Sequence, residues 1–238
     1  MKVRIYNSTL EPNIWNLDMT LKPDVLEALQ NIAKTFYKET EFKIPLEDVL
    51  FLGSCANYNW TKTSDIDLHI LIDSVKMAMP EDYKKKFMKS MAYRWNTEHD
   101  IHIKGHNVEL YLQDVKETNR STGIYSVGTV EWVQKPTPQK IVLDKGLIQN
   151  KYTETVKKLE DAIKESSVDK LRRVMKDIVD MREVGLTREG EFSTENIVFK
   201  ILRTRGFLGK LKDAINQNYD KLVSVKEGYG YGAHPEKD

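Results

Sequence analysis

Cysteine is nearly absent: Cys55 is the only one in 238 residues. No intrachain disulfide can form, so the fold must rest on its apolar core, and a reducing, cytoplasmic setting is the expectation. Charge of one sign is also missing. A formal net charge of +1 excludes the overall basic footprint of a chain built to track long nucleic acid. Long apolar runs are missing as well. None approaches the ~20 residues of a membrane-spanning helix. Met1-Lys2-Val3-Arg4-Ile5-Tyr6 lacks the apolar centre of a signal peptide. No internal repeat or low-complexity tract is visible. A soluble protein with no membrane partner is expected, long enough for one large domain or two modest ones at ~150 residues each.

The chain is richest in meaning between Leu50 and Asp73. Asp65-Ile66-Asp67-Leu68-His69-Ile70-Leu71-Ile72 alternates, and a strand sends successive side chains to opposite faces. Ile66, Leu68, Ile70 and Ile72 share an apolar face. Asp65, Asp67 and His69 share the other. Two carboxylates this close repel unless a cation lies between them, and hard carboxylate oxygens suit Mg²⁺ or Mn²⁺. Val108-Glu109-Leu110-Tyr111-Leu112-Gln113 alternates in the same way, with Glu109, Tyr111 and Gln113 on its polar side. Should this strand lie beside the first, Glu109 joins Asp65 and Asp67, and three carboxylates can hold two metal ions.

Leu52-Gly53-Ser54, a ten-residue spacer, Asp65-Ile66-Asp67-Leu68 and the distal Val108-Glu109-Leu110 together resemble the DNA polymerase β-like nucleotidyltransferase superfamily. The likeness covers roughly residues 48 to 113. It implies a nucleotidyltransferase-type mixed sheet, metal ligation by Asp65, Asp67 and Glu109, and triphosphate binding by Gly53 and Ser54. It implies transfer of a nucleoside monophosphate from an NTP, ATP by default, to a hydroxyl, with release of pyrophosphate. The superfamily's acceptors differ widely, so the likeness leaves the acceptor open.

The local chemistry agrees. Gly53 ends a short buried strand, Val49-Leu50-Phe51-Leu52, and glycine lets a backbone approach a ligand. Ser54 is suited to open a short helix as its N-cap, where unpaired N–H groups attract phosphate. Ser64 offers a hydroxyl beside Asp65. Other residues have plainer readings. His69 reads as a neighbour of the carboxylates rather than a ligand. His102 and His106, flanking the turn Lys104-Gly105, read as surface residues. Tyr58 and Trp60 suit base stacking or ordinary packing equally. Cys55 reads as a small packed residue, or as a thiol exposed to reagents beside Ser54.

Helical spacing of Val25, Leu26, Leu29, Ile32, Ala33 and Phe36 predicts a helix over Pro23–Glu39. A second helix opens at Pro80 and runs to about Asn96, with Lys84, Lys85, Lys86 and Lys89 on a solvated face. Ile101–Ile103 and Val108–Leu112 form a hairpin. Short strands follow at Gly123–Val127 and Val130–Val133, and Tyr125 and Ser126 are candidates to line a cleft. From about residue 148 the pattern is helical: Tyr152 to Val184 with a break near Ser166-Ser167, a stop at Gly185, a helix from the N-cap Ser193 to about Arg205, and another from Leu208 to Tyr219. The fold class is α+β. Residues 1–148 form a catalytic domain that opens on a short strand and an irregular lead-in, 149–225 a helical substrate-binding region and 226–238 a disordered tail.

Between Asn196 and Lys212 the charged residues are all basic: Lys200, Arg203, Arg205, Lys210 and Lys212. Asn196, Lys200 and Arg203 fall near one helix face. By the same resemblance, Asn196 and Lys200 would close over the nucleotide; the plainer reading is a solvated basic face. The expected activity is therefore a metal-dependent nucleotidyltransferase acting on a small molecule or another nucleotide. The alternatives are a tRNA or RNA 3′ end, a protein side chain in a toxin–antitoxin-like setting, and a non-catalytic nucleotide-binding protein.

Overall fold

The computed structural model describes residues 6–40, 43–138 and 143–224. Of the expected strand and lead-in over residues 1–20, residues 1–5 lie outside the described residues, as does the expected tail, 226–238. The chain divides into two compact units, Met1–Lys140 and Ile141–Asp238. Among the described residues no helix is long and apolar enough to cross a membrane.

The first unit is a six-stranded mixed sheet with helices. Helix α1, Pro23–Glu39, begins where Pro23 supplies a preset φ and Asp24 suits the positive helix end, and it finishes with Lys38 in its last turn. Strand β1, Leu46–Leu52, runs into a single 3₁₀ turn, Ser54–Ala56. Strand β2 is Ile66–Ile72, and helix α2, Glu81–Glu98, crosses back to the hairpin of β3, His102–Ile103, and β4, His106–Asp114. Strands β5, Ile124–Ser126, and β6, Glu131–Gln134, complete the order β3-β4-β2-β1-β5-β6. Only β2 and β4 are parallel, as their helical crossover requires; the other neighbours are antiparallel.

One sheet face is the core. Ile66, Leu68 and Ile70 are fully buried with Val49, Phe51, Val108 and Leu110, and α1 and α2 cover them through Leu29, Ala33, Phe36, Ala92 and Trp95. Phe36 meets Trp95 edge-on with ring centres 5.3 Å apart. Each such side chain contributes about 1.5–3 kcal/mol of burial free energy. Trp15 closes the end of this core between Phe51 and Trp132, centroids 5.4 and 4.7 Å away. The α2 reading needs one correction. Lys84 shares the inward stripe of Met88, Ala92 and Trp95, is buried, and pairs with Glu81 at 2.9 Å. Its stem packs where the helix faces the sheet, so it does not belong to the solvated face.

The second unit is helical: α3, Lys145–Glu165; α4, Val168–Glu189; α5, Thr194–Thr204; and α6, Phe207–Val223. Leu159, Leu171, Val198, Leu202 and Leu211 are fully buried. The break near Ser166 is real, with Ser166 left-handed at φ 57°. Ser193 caps α5 by accepting from the Asn196 amide. Gly185 is not a stop: α4 continues to Glu189. A Cβ on Gly185 would fall 2.6 Å from both Ser193 Oγ and Glu195 Cβ, so this glycine is where the start of α5 lies against α4.

Candidate functional site: three carboxylates on the second sheet face

The second face of the sheet carries the acids. Residues directly opposed on neighbouring strands share a face. Asp67 of β2 is opposed by Leu52 of β1 on one side and by Glu109 of β4 on the other. The strand spacing of about 4.8 Å therefore separates the Asp67 and Glu109 backbones. The β2 burial pattern alternates strictly, and Asp67 and His69 are half-buried between fully buried neighbours. Asp65 stands one residue before the strand, also half-buried. The condition that β2 and β4 be neighbours is met through the parallel register.

Gly53 sits under Asp67. Its φ is +80°, and a Cβ there would fall 1.7 Å from Asp67 Oδ2, so no side chain fits. Sequence suggested a glycine for close approach; the group that approaches is Asp67's own carboxylate. Ser54 is the first residue of the short turn rather than its cap: Gly53 occupies the N-cap position and no side chain caps the turn. The Gly53 N–H points to Ser121 Oγ at 3.4 Å, and Gly123 lies so close to the turn that a Cβ would come 2.0 Å from Ala56 O.

Tyr111 ties the acids together. Its hydroxyl donates to Glu109 Oε2 at 2.5 Å. Desolvation around the hydroxyl, then the charges of Asp67, Glu109 and Asp65, push its pKa far above the usual phenol value. All three carboxylates thus act on one phenol. Next along this face, the His69 ring lies tilted beside Tyr111, centroids 4.8 Å apart, and Gln113 Nε2 donates to Glu117 O. That bond orients the amide so that its Oε1 accepts from His69 Nδ1 at 2.6 Å. Desolvation keeps the His69 pKa below its ordinary value.

The donor set suits a hard cation: three carboxylates and no thiolate on a polar face. It is not closed around a point. Among the described residues no group of three or more His, Cys, Asp and Glu side chains is arranged to hold a metal ion. Glu109 Oε2 is held by the Tyr111 hydroxyl.

Other sequence candidates fall elsewhere. Ser64 is buried, and its hydroxyl accepts from Thr61 N at 2.9 Å, so it holds its own loop. Tyr125 packs into the aromatic core against Trp15 and Trp132, and Ser126 is buried, donating to Asp48 Oδ1 at 2.9 Å; neither lines a cleft. Tyr58 stacks on Tyr6, and Trp60 donates to Thr9 O, which is packing. Cys55 is fully buried. In the second unit Asn196 is 1% exposed, its amide donating to Glu191 O at 2.6 Å and accepting from Arg182 Nε at 3.2 Å. Its side chain anchors the start of α5. Lys200 is half-buried one turn later, and Arg203 is exposed.

His106 is the residue whose reading changes most. His102 is on the surface, but His106 is buried at 4% exposure, its Nδ1 2.7 Å from Ser64 O. The signal was available: His106 has the parity of Val108 and Leu110, the inward side of β4. The chain matches no protein-family model, no curated protein and no solved structure.

Proposed function

We propose that this protein is a metal-dependent nucleotidyltransferase that moves a nucleoside monophosphate from an NTP to a hydroxyl acceptor and releases pyrophosphate. The observation that carries the reading is Asp67, seated over Gly53 and directly opposed by Glu109 across the parallel strand pair. Phosphoryl transfer needs little covalent help from protein; it needs positioning and charge neutralisation. Asp65, Asp67 and Glu109 would hold Mg²⁺ or Mn²⁺, which supplies neutralisation of the triphosphate and acidifies the acceptor hydroxyl. The Gly53-Ser54 backbone would lie against the phosphates. Glu109 is placed to accept the acceptor's proton, with Tyr111 setting its orientation.

The acceptor favoured by near-neutral charge is a small molecule or nucleotide, since long RNA tracks need many phosphate contacts. Each α-labelled NTP, incubated with the protein and Mg²⁺ and then with candidate acceptors, tests the reading. Labelled product that disappears in Asp65→Ala plus Asp67→Ala supports it. Product that survives both substitutions removes this site as its source. One observation favours a second reading, a nucleotide-binding protein without catalysis: the carboxylates are not gathered around a cation position. Tight NTP binding by calorimetry with no pyrophosphate formed would select it.

A further inference from the structure

We propose that His106 is a positioning residue, a single buried imidazole that holds the three chain segments of the transferase site in register. The Gly53-Ser54 turn, the Asp65 strand start and the distant Glu109 strand meet at this ring. Nδ1 lies 2.7 Å from the carbonyl oxygen of Ser64, the residue immediately before Asp65. A carbonyl only accepts, so Nδ1 carries the proton and donates. Cys55 Sγ, one residue after Ser54, lies 3.7 Å from the same nitrogen and 3.8 Å from the same carbonyl oxygen. His106 itself opens β4, three residues before Glu109, or about 10 Å along the strand. Its third neighbour is Glu11, whose Oε1 is 3.7 Å from Nε2 and whose two oxygens accept from the Asn13 N–H and side-chain amide at 2.8 Å. His106, Glu11, Cys55 and Ser64 are all at least 95% buried.

A buried polar group stays only where it is satisfied, and this one is satisfied by the backbone of the loop it fixes. That loop, residues 57–64, separates the Gly53-Ser54 turn from Asp65. The lead-in segment braces its other end: Asn7 Nδ2 donates to Trp60 O at 2.7 Å, and Trp15 Nε1 donates to Cys55 O at 2.7 Å. Losing the Nδ1–H donor frees the Ser64 carbonyl, and with it the backbone that aims Asp65. Misplacing a reacting group by about 1 Å can cost about 10²-fold in rate. The ring touches no reacting atom, so its effect is on geometry. The kinetic arm of this inference rests on the transferase reading; its exchange arm does not.

The test compares His106→Asn with His106→Gln in the full chain. Asparagine places an amide N–H near the Nδ1 position; glutamine places one near Nε2. A residue that merely fills space would favour glutamine, the closer of the two to histidine in volume. Expected for His106→Gln is a fall in kcat of at least about 30-fold, with a smaller change in KM for NTP. Its amides at 53–56 and 65–67 should exchange faster by hydrogen–deuterium exchange, with α4 unchanged. His106→Asn should recover most of the rate and of the protection. Equal rates and equal exchange in the two variants, or glutamine the better of the two, would overturn the proposal. If the wild type transfers no nucleotide yet the exchange contrast appears, the brace stands and the transferase reading falls. If His106→Gln does not fold, His106→Asn decides against wild type: retained protection at 65–67 supports the proposal, and lost protection overturns it.

Discussion

The two faces of one sheet follow opposite rules. On the covered face, Ile66, Leu68, Ile70 and Ile72 are fully buried and interchangeable in kind; what matters is volume and the absence of gaps. On the second face, Asp67, His69, Glu109 and Tyr111 are half-buried or exposed beside the buried Leu50 and Leu52, and the proposed function depends on the chemical kind of each. Carboxylates crowded beside one another and beside a phenol cost stability, because like charges repel and a desolvated hydroxyl must find a partner. A sheet this well covered on one side tolerates such strain on the other. Under the proposed function that asymmetry marks the site, and it can be broken from either side.

The largest effect should come from Asp67. Asp67→Asn keeps the shape over Gly53 and removes the charge. Nucleotide transfer should fall by about 10³-fold, roughly 4 kcal/mol of transition-state stabilisation, while Tm does not fall. Initial rates and a thermal melt on the same preparation check both halves. A fall in Tm matching the loss of activity would make Asp67 a packing residue and erase the contrast.

Leu68→Ala, one residue along and on the other face, should do the reverse. Leu68 is fully buried against α1 and α2, and a Leu→Ala cavity costs about 2–5 kcal/mol. Denaturant unfolding should show this loss. The specific activity of the fraction still folded should be close to wild type.

How far the sequence discloses this arrangement depends on which physical signal each residue carries. Alternation alone separates Asp65, Asp67 and Glu109 from the core, because a period of two is written directly into the chain. Helical spacing likewise bounds α1, where Pro23 and the apolar stripe agree. The parallel pairing of β2 with β4 is not written locally: it is decided by the α2 crossover and by which apolar faces α1 and α2 can cover together. His106 shows a signal overridden by a stronger one nearby. The turn Lys104-Gly105 draws attention to the surface, while the parity of β4 already assigns His106 inward. Glu11 carries no signal, lying in irregular chain where neither period applies; only the fold brings its carboxylate to His106. Asn196 is ambiguous for a third reason. Its place at a helix start suits either an anion or an intrachain anchor, and only the positions of Glu191 and Arg182 decide.

A smaller effect should separate the carboxylates from the group that orients them. Tyr111→Phe removes the hydroxyl on Glu109 Oε2 and keeps the ring beside His69. Partners that orient metal ligands are typically worth about 10–100-fold in affinity. Mn²⁺ binding followed by electron paramagnetic resonance should weaken by about 10-fold, with a matching rise in the Mg²⁺ concentration needed for half-maximal rate. Tighter Mn²⁺ binding in Tyr111→Phe would mean that the phenol competes for Glu109 instead of aiming it.

The smallest test moves the comparison to the helical unit, where no polar face is at stake. Replacing an interior helix glycine by alanine ordinarily stabilises, by about 0.5–1 kcal/mol, because alanine has less backbone freedom to lose. Gly185 should behave the other way. It is buried in α4, and the added methyl would meet Ser193 Oγ and Glu195 Cβ at 2.6 Å, one the capping hydroxyl of α5 and the other in its first turn. Neither is the free end of a flexible chain, since Ser193 holds the Asn196 amide and Glu195 is ion-paired to Lys151. Overpacking of this kind costs about 1–3 kcal/mol, so after the helix-propensity gain a net loss of about 1 kcal/mol should appear in urea unfolding. A stabilised Gly185→Ala would mean that α5 can slide away from α4 at no cost. The contact between the two helices would then be looser than the buried Ser193 and Asn196 imply.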